Sequence, residues 1–416
     1  MKAEIITIGD EILLGQIIDT NSAWIAQNLF SLQIHVHQIT SITDKQNHIL
    51  SALSAASERA DLVICTGGLG PTKDDITKTA AAVYFNSGII RDDLVMNHVR
   101  KIFQRLKKTM PDMNYSQADV LACSEVLFND WGTAPGMWVE KEGKIFVFLP
   151  GVPFEMKNLM THRVLPKLSQ YAEEEKIVHR YILTVGIGES HLAEKIAKIE
   201  DAFLGYVHLA YLPKIGQVLL RLSLTGNNIA MLNQEADFLQ NELINCIGRA
   251  VVAMKDISFE EVIVNEFKLN ECTLSTAESC TGGNIAKKIT EISGASQMFY
   301  GAIVAYADEI KEQLLNVDKS ILELHGAVSE ETVIQMAKGA QRKFGTTYAI
   351  ATSGIAGPSG GSIEKPVGSV WIAISGKNQV ITKHFQFSDD RLLNIERTTA
   401  SALLLLWDLF FQEKGN

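Results

Sequence analysis

The chain has 416 residues, enough for two or three domains. Hydrophobic residues make up 46% and charged residues 21%, which excludes an intrinsically disordered chain and supplies large cores. Lys plus Arg number 38 against 48 Asp plus Glu, a net charge of −10 with no basic stripe, so nucleic acid is not an expected partner.

Residues 3–8 read as a buried strand, Glu4 apart, running into Gly9-Asp10-Glu11. A helix is predicted from about Asn21 to Leu32 and a strand over 33–40. Asp44 then reads as the N-cap of a helix carrying Ile49, Leu50, Leu53 and Ala56. Asp61–Thr66 is a short apolar strand entering Gly67-Gly68-Leu69-Gly70-Pro71-Thr72, with another helix from about Asp75. Phe146–Leu149 reads as a strand closed by Pro150-Gly151-Val152-Pro153, and a helix over Phe154–Gln170 follows. This alternation predicts a mainly parallel sheet with helices on both faces in a first domain, 1–171.

Glu173-Glu174-Glu175-Lys176 reads as a solvated linker. Residues 176–255 read as a small α+β unit: strand Ile177–Val185, turn Gly186-Ile187-Gly188, helix Glu189–Ile199, a hairpin around Pro213–Gly216 and helix Ala230–Ile247. A second α/β domain is predicted over 258–416. Its helices are 258–269, 281–292, a set across 308–344 and a final one at 389–412; its strands are 272–277, 297–305, 347–352 and 368–375. The expected fold class is therefore α/β: two α/β domains with mainly parallel sheets joined by a small α+β domain.

Cys65, Cys123, Cys246, Cys272 and Cys280 are odd in number, scattered and never spaced Cys-x-x-Cys. That pattern predicts a reducing cytoplasm and neither a disulfide framework nor a zinc site. Asp10 and Glu11 interrupt the N-terminal apolar stretch, so no signal peptide is expected there. The apolar run Ala402–Trp407 is too short for a bilayer, and no membrane partner is expected.

The loop Gly67–Asp75 combines glycines that let backbone approach a phosphate, Thr72 and Lys73 that can bond its oxygens, and Asp74 and Asp75 that can hold a divalent cation. It is neither a Walker nor a Rossmann motif. The plainer reading is a tight turn with Asp75 capping the next helix. Parallel α/β sheets bind ligands at strand carboxyl ends, where this loop is expected.

Ala277-Glu278-Ser279-Cys280-Thr281-Gly282-Gly283 sits on a predicted strand-to-helix turn. Backbone N–H groups at a helix start favour negative charge, so a hydroxyl beside them can be a nucleophile with an oxyanion site. Alternatively, Ser279 or Thr281 only caps the helix. Lys311 could serve as a base beside Ser279, with Tyr306 assisting, or be a snorkelling surface residue. Thr352-Ser353-Gly354 opens a Gly-rich loop at another strand end, and Arg391 and Arg397 could each clamp a phosphate or form surface ion pairs. Cys280 is a rival nucleophile, because thiolates form readily at helix N-termini.

Four ordered motifs in the first domain resemble the N-terminal, molybdopterin-binding (MoaB/MogA-like) domain of the CinA family. They are Gly9-Asp10-Glu11-Ile12-Leu13-x-Gly15 with Asp19-Thr20-Asn21; Gly67–Asp75; Asn129-x-x-Gly132-Thr133-Ala134-Pro135-Gly136; and Pro150-Gly151-Val152-Pro153-x-Glu155-Met156. The resemblance implies a nucleotide site formed by Asp10, Glu11, Asp44, Gly67, Gly68, Gly70, Thr72, Asp74, Asp75, Asn129 and Glu155. It further implies an ADP-ribose pyrophosphatase activity that uses Mg²⁺ or another divalent cation, held here by Asp74 and Asp75, and is helped by K⁺. Binding of a molybdopterin-like ligand is the alternative for this domain.

Residues 260–410 resemble the C-terminal domain of the same family, the PncC-type nicotinamide mononucleotide deamidase. The resemblance rests on Ala277–Gly283, Ser293-Gly294-Ala295-Ser296, Tyr306 with Lys311, Gly326-Ala327-Val328-Ser329, Ser353–Pro358 with Gly361, Lys365-Pro366-Val367-Gly368, and Asp390-Arg391. Ser353 departs from the pattern, standing where threonine is frequent. The implied reaction is hydrolysis of nicotinamide mononucleotide to nicotinic acid mononucleotide and ammonia, without a metal. Ser279 would be the nucleophile, with Lys311 and Tyr306 moving its proton. Glu278, Cys280, Thr281, Gly282, Gly283, Ser353, Gly354, Arg391 and Arg397 would surround the substrate. The family also implies a homodimer and, as an alternative function, a non-catalytic role as a competence or DNA-damage partner.

Overall fold

The computed structural model describes residues 1–171 and 176–414, so Glu173–Glu175 of the expected linker lie outside the described residues. The chain divides into two compact units, Met1–Ile177 and the remainder from Val178.

The first unit is built on a six-stranded sheet ordered His35–Ile42, Lys2–Ile8, Leu62–Thr66, Lys144–Leu149, Gly136–Lys141, Glu125–Leu127. The first four strands are parallel and the last two are added antiparallel. Leu62–Thr66 is buried along its whole length, as a central strand covered on both faces must be. Helices Gln46–Arg59 and Thr77–Phe85 cover one face through Leu53, Ala56, Ala80 and Ala81. Helix Thr20–Ser31 and the segment Pro153–Leu168 cover the other. That segment, expected as one helix, is interrupted by a π turn at Met160–Val164. A small antiparallel pair, Ile89–Arg91 with Asp119–Leu121, and the helix Asp93–Arg105 had no counterpart in the sequence reading.

In the second unit, a sheet ordered Val207–Lys214, Gln217–Gly226, Lys176–Val185, Val251–Ala253 carries helices Glu189–Glu200 and Ile229–Ile247. A five-stranded sheet follows, ordered Phe299–Val304, Leu274–Glu278, Tyr348–Gly354, Ser369–Ser375, Val380–Gln386. Its first three strands are parallel and its last two antiparallel, so the sheet is mixed. Helix Glu330–Phe344 packs on one face through Val333, Met336 and Ala340. Helices Phe259–Leu269, Asn284–Thr290 and Arg391–Lys414 pack on the other. Leu183, Val185 and Leu219 of the smaller sheet belong to that same core, beside Phe259, Leu403 and Trp407. No helix among the described residues is long and apolar enough to cross a membrane.

Candidate functional site

A cavity of about 460 Å³ opens at the carboxyl ends of Lys2–Ile8, Leu62–Thr66 and Lys144–Leu149. Glu11, Asp44, Gly67, Gly68, Gly70, Asp74, Asp75 and Glu155 line it. The glycines are required by geometry. Gly67 has φ +108° and a Cβ there would stand 2.1 Å from the Ile8 carbonyl oxygen; Gly68 has φ +65° and its Cβ would stand 2.1 Å from Thr77 Oγ1. The loop is pinned from below, where the Thr77 hydroxyl donates to the Gly67 carbonyl at 3.0 Å.

The acidic residues divide by environment. Asp44 does not cap the next helix, whose N-cap is Lys45; its carboxylate accepts instead from the Asp10 N–H at 3.0 Å. Burial raises the Asp44 pKa, with Glu11, Asp10 and Asp74 adding repulsion. Asp74 is fully exposed and held below the usual carboxylate range, chiefly by a hydrogen bond from Thr72. Asp75 does not cap the helix beginning at Thr77 either; it accepts from the Thr72 N–H at 2.9 Å and from the Thr72 hydroxyl. Asp10, Thr72 and Asn129 are thus supporting residues behind the lining. Asn129 Nδ2 donates to Glu155 Oε2 at 2.6 Å and to Ala134 O at 2.9 Å. Burial raises the Glu155 pKa, and the Asn129 bond partly offsets it.

Among the described residues no three His, Cys, Asp or Glu side chains converge as a metal cage. A magnesium ion needs only one or two carboxylates plus phosphate oxygens and water. Asp44, Asp74 and Asp75 all line the cavity; Asp44 and Asp74 repel each other, as two carboxylates that share a cation would in its absence, while Asp75 accepts two bonds from Thr72.

Sequence reading overlooked Gln117 and Lys78. Gln117 Nε2 donates to Leu69 O at 3.2 Å, and its Oε1 accepts from the Thr133 hydroxyl at 2.7 Å, joining two loops of the cavity. Lys78 is buried beneath them, donating to Ser116 O at 2.9 Å and Gln117 O at 3.3 Å. Their long side chains are ordinarily solvated, and nothing in the local pattern marks them as interior.

The second centre forms at the end of the strand Leu274–Glu278. Ser279 N donates to Thr352 O at 2.9 Å, and Ala305 N donates to Glu278 O at 2.8 Å. These bonds set residues 305–306 on one side of Ser279 and 352–354 on the other. Ser279 is only 9% exposed.

Glu278 is fully buried and is the true cap of the following helix. Its carboxylate accepts from the N–H groups of Gly283 (3.0 Å), Ile285 (3.1 Å) and Ala286 (2.9 Å), and from the hydroxyls of Thr281 (2.7 Å) and Thr276 (3.1 Å). Neither Ser279 nor Thr281 caps the helix, whose N-cap position is Gly283. Gly282 N is spent on Ser279 O at 3.1 Å. That leaves the N–H groups of Cys280 and Thr281, two and not four, and the Cys280 N–H already lies against its own thiol. Thr281 also bonds Thr352 Oγ1 at 2.9 Å, so its hydroxyl holds the turn rather than a ligand.

Cys280 belongs to the hydrophobic core, and burial pushes its thiol up to about 12. A thiol kept protonated by burial is a poor nucleophile at neutral pH, which weighs against Cys280 as the rival. Lys311 is 1% exposed, not a snorkelling surface residue. Its Nζ bonds Tyr306 O at 3.3 Å and Asp308 Oδ1 at 3.0 Å. Arg391 donates to the Tyr306 hydroxyl at 2.9 Å and to Gly357 O at 2.8 Å, tying two loops beside Ser279. Ser353 spends its hydroxyl on Ala327 O at 2.6 Å. Gly354 is a packing glycine: a Cβ there would stand 2.6 Å from Val370 Cγ2. Arg397 is not part of this group and lines a separate cavity. Asn394, not singled out beforehand, is buried and donates to Ala356 O at 3.0 Å and Ser388 O at 2.7 Å, fixing the loop that Arg391 also grips.

The fold and its two centres define an α/β chain joining a molybdopterin-binding-type domain to a second domain with a serine at the end of its central strand. Residues 4–170 match the family model described as a probable molybdopterin binding domain, residues 179–253 the damage-inducible protein CinA KH domain, and residues 256–410 the CinA C-terminal domain. The chain belongs to the CinA family. It is 44% identical to a CinA-like protein of Flavobacterium psychrophilum, covering 98% of each chain. It is also 44% identical to a CinA-like protein of Cytophaga hutchinsonii, covering 97% of this chain and 96% of that one. Among solved structures, the competence/damage inducible protein CihA of Agrobacterium tumefaciens is 39% identical, covering 36% of this chain and 93% of its own, with a TM-score of 0.36.

Proposed function

We propose that the chain hydrolyses the carboxamide of nicotinamide mononucleotide at Ser279, giving nicotinic acid mononucleotide and ammonia. The observation carrying this reading is the seating of Ser279 between residues 305–306 and 352–354, with the Cys280 and Thr281 N–H groups beside it free of any backbone acceptor. Ser279 Oγ attacks the carboxamide carbon, and Lys311 is the group that takes the hydroxyl proton. The two N–H groups stabilise the oxyanion. The tetrahedral intermediate collapses with loss of ammonia, which receives the proton from Lys311. Water then hydrolyses the acyl-enzyme ester, its proton returning through Lys311 to Ser279. Without substrate, Lys311 Nζ bonds Tyr306 O and Asp308 and not Ser279; catalytic hydrogen bonds commonly tighten only when substrate is bound. Tyr306, held by Arg391, positions the loop carrying the Lys311 contact.

The N-terminal cavity supports a second reaction, hydrolysis of the ADP-ribose diphosphate. Gly67–Gly70 cradles the phosphates, and a divalent cation on Asp44 and Asp74 would supply charge neutralisation there. K⁺ dependence and a homodimeric, cytoplasmic state belong to the same reading. A purely regulatory partner would have no use for a buried Ser279 and a buried Lys311. Ammonia release from nicotinamide mononucleotide tests the proposal: wild type and Cys280→Ala release it and Ser279→Ala does not. A folded wild type that releases none would turn attention to protein partners.

A further inference from the structure

The hairpin Val207–Lys214/Gln217–Gly226 meets the C-terminal helix at one tight point. Gly216 has φ +78°, and a Cβ there would stand 2.9 Å from the Ala400 Cβ. The Gly186 N–H donates to Gly216 O at 3.4 Å, which ties the turn 186–188 to the same hairpin tip. Beside these ties lies a cavity of about 440 Å³, within the range that holds small ligands.

Its chemistry is two-sided. Arg397 and Lys214 both line it, and neither side chain has a hydrogen bond or ion pair among the described residues. Glu189 is the single carboxylate in the lining. Arg397 belongs to this cavity alone, whereas Lys214 also borders two neighbouring cavities that hold Glu260, Glu291, Glu396, Asp256 and Glu261; in this lining the two cations face one carboxylate, a local positive balance in a chain of net charge −10. The remaining wall is apolar, with Ile187, Ile215, Phe387 and Leu404. Phe387 is stacked on Phe385, with centroids 5.4 Å apart and planes at 12°, so its ring orientation is fixed. The site is separate from the Ser279 centre: Arg397 lies about 9 Å along the helix from Arg391 at 1.5 Å per residue.

We propose that this cavity binds a phosphate monoester of mononucleotide size, its phosphate on Arg397 and Lys214 and its flat or apolar body against Phe387 and Ile215. Arg suits a phosphate through its planar fork and Lys through its point charge. The volume holds one nucleotide, and the sequence has no basic stripe along which a longer polyanion would run. The assignment is independent of either proposed activity.

The test is chemical footprinting of the full chain, with phenylglyoxal for arginine and acetylation for lysine, mapped by peptide mass spectrometry. AMP and inorganic phosphate are the probes. AMP at about ten times its Kd is expected to slow modification of both Arg397 and Lys214 about tenfold, with phosphate acting at higher concentration. Lys214→Gln is expected to weaken AMP protection of Arg397 while the Arg391 footprint, reporting an intact fold, stays as in wild type. If Arg397 reacts at its unprotected rate in the presence of about 5 mM AMP, beyond any useful affinity, the proposal fails. Protection by a short single-stranded oligonucleotide but not by AMP would overturn it as well.

Discussion

Glu278 Oε2 lies 2.7 Å from the Thr281 hydroxyl, and that carboxylate replaces the side-chain cap the helix would otherwise take from Ser279 or Thr281. Five donors converge on its two oxygens in a fully buried setting. Thr281→Ala removes one of them and is expected to cost about 1–2 kcal/mol. Glu278→Ala orphans all five and is expected to cost about 3 kcal/mol or more, because buried donors lose their acceptor. Urea unfolding followed by the signal of Trp371 or Trp407 measures both. A Glu278→Ala variant as stable as wild type would contradict this account of the turn.

Arg391 bridges the Tyr306 hydroxyl and Gly357 O, so its loss frees two loops beside Ser279. Arg391→Lys cannot make both bonds with one ammonium. The expected result is a rise of about tenfold in KM for nicotinamide mononucleotide, the equivalent of one lost charge-assisted bond, with a smaller change in kcat. Steady-state ammonia release separates the two parameters.

Cys280 and Cys123 offer a paired test of burial. Cys280 lies in the core with its thiol near 12, while Cys123 is exposed. Iodoacetamide at pH 8 is expected to label Cys123 and spare Cys280, with ammonia release unimpaired. Peptide mapping after a brief exposure reads both sites. Labelling of Cys280 at the rate of Cys123 would restore it as a candidate nucleophile.

Lys78 links the N-terminal cavity to pH. Burial is the main cause that lowers its pKa to about 8 from 10.5. Between those values the folded chain carries the neutral amine while the unfolded chain still binds the proton. Stability therefore rises with pH across that window, at up to about 1.4 kcal/mol per unit from this one group. Lys78→Met has no such titration. The stability of wild type relative to Lys78→Met is expected to be lowest below pH 8 and to increase towards pH 10.5. A difference that stays flat from pH 7 to 10 would show that Lys78 titrates normally.

Gly68→Ala is expected to abolish ADP-ribose turnover and leave ammonia release intact. Its Cβ would overlap Thr77 Oγ1, and the left-handed φ adds strain of about 1–2 kcal/mol. Parallel assays of the two reactions on one preparation check both halves of the statement.

Legibility in the sequence followed the range of the interaction. Gly67–Asp75 was readable because a run of glycines at a strand end has few purposes. The long amphipathic helices were readable from their periodicity. Asp44 reads as a cap, and Asp75 does so in its plainer reading, because a carboxylate before a helix usually is one; here Asp44 binds Asp10, 34 residues away. The three-residue strands Ile89–Arg91 and Asp119–Leu121 were too short to show alternation. Arg397 reads with Arg391 from proximity in the chain, yet Arg397 lines a cavity beside Gly216 while Arg391 bonds the Tyr306 hydroxyl. Lys78 and Gln117 could not be read as interior, since only tertiary contacts bury them.

The carboxylate of Glu278 also decides how a substrate enters. By consuming the N–H groups of Gly283, Ile285 and Ala286, it fills the positive end of the helix with the protein's own negative charge. The turn beside Ser279 thus offers little attraction to a second anion. Under the proposed reaction, that favours an uncharged carboxamide over a carboxylate at the serine.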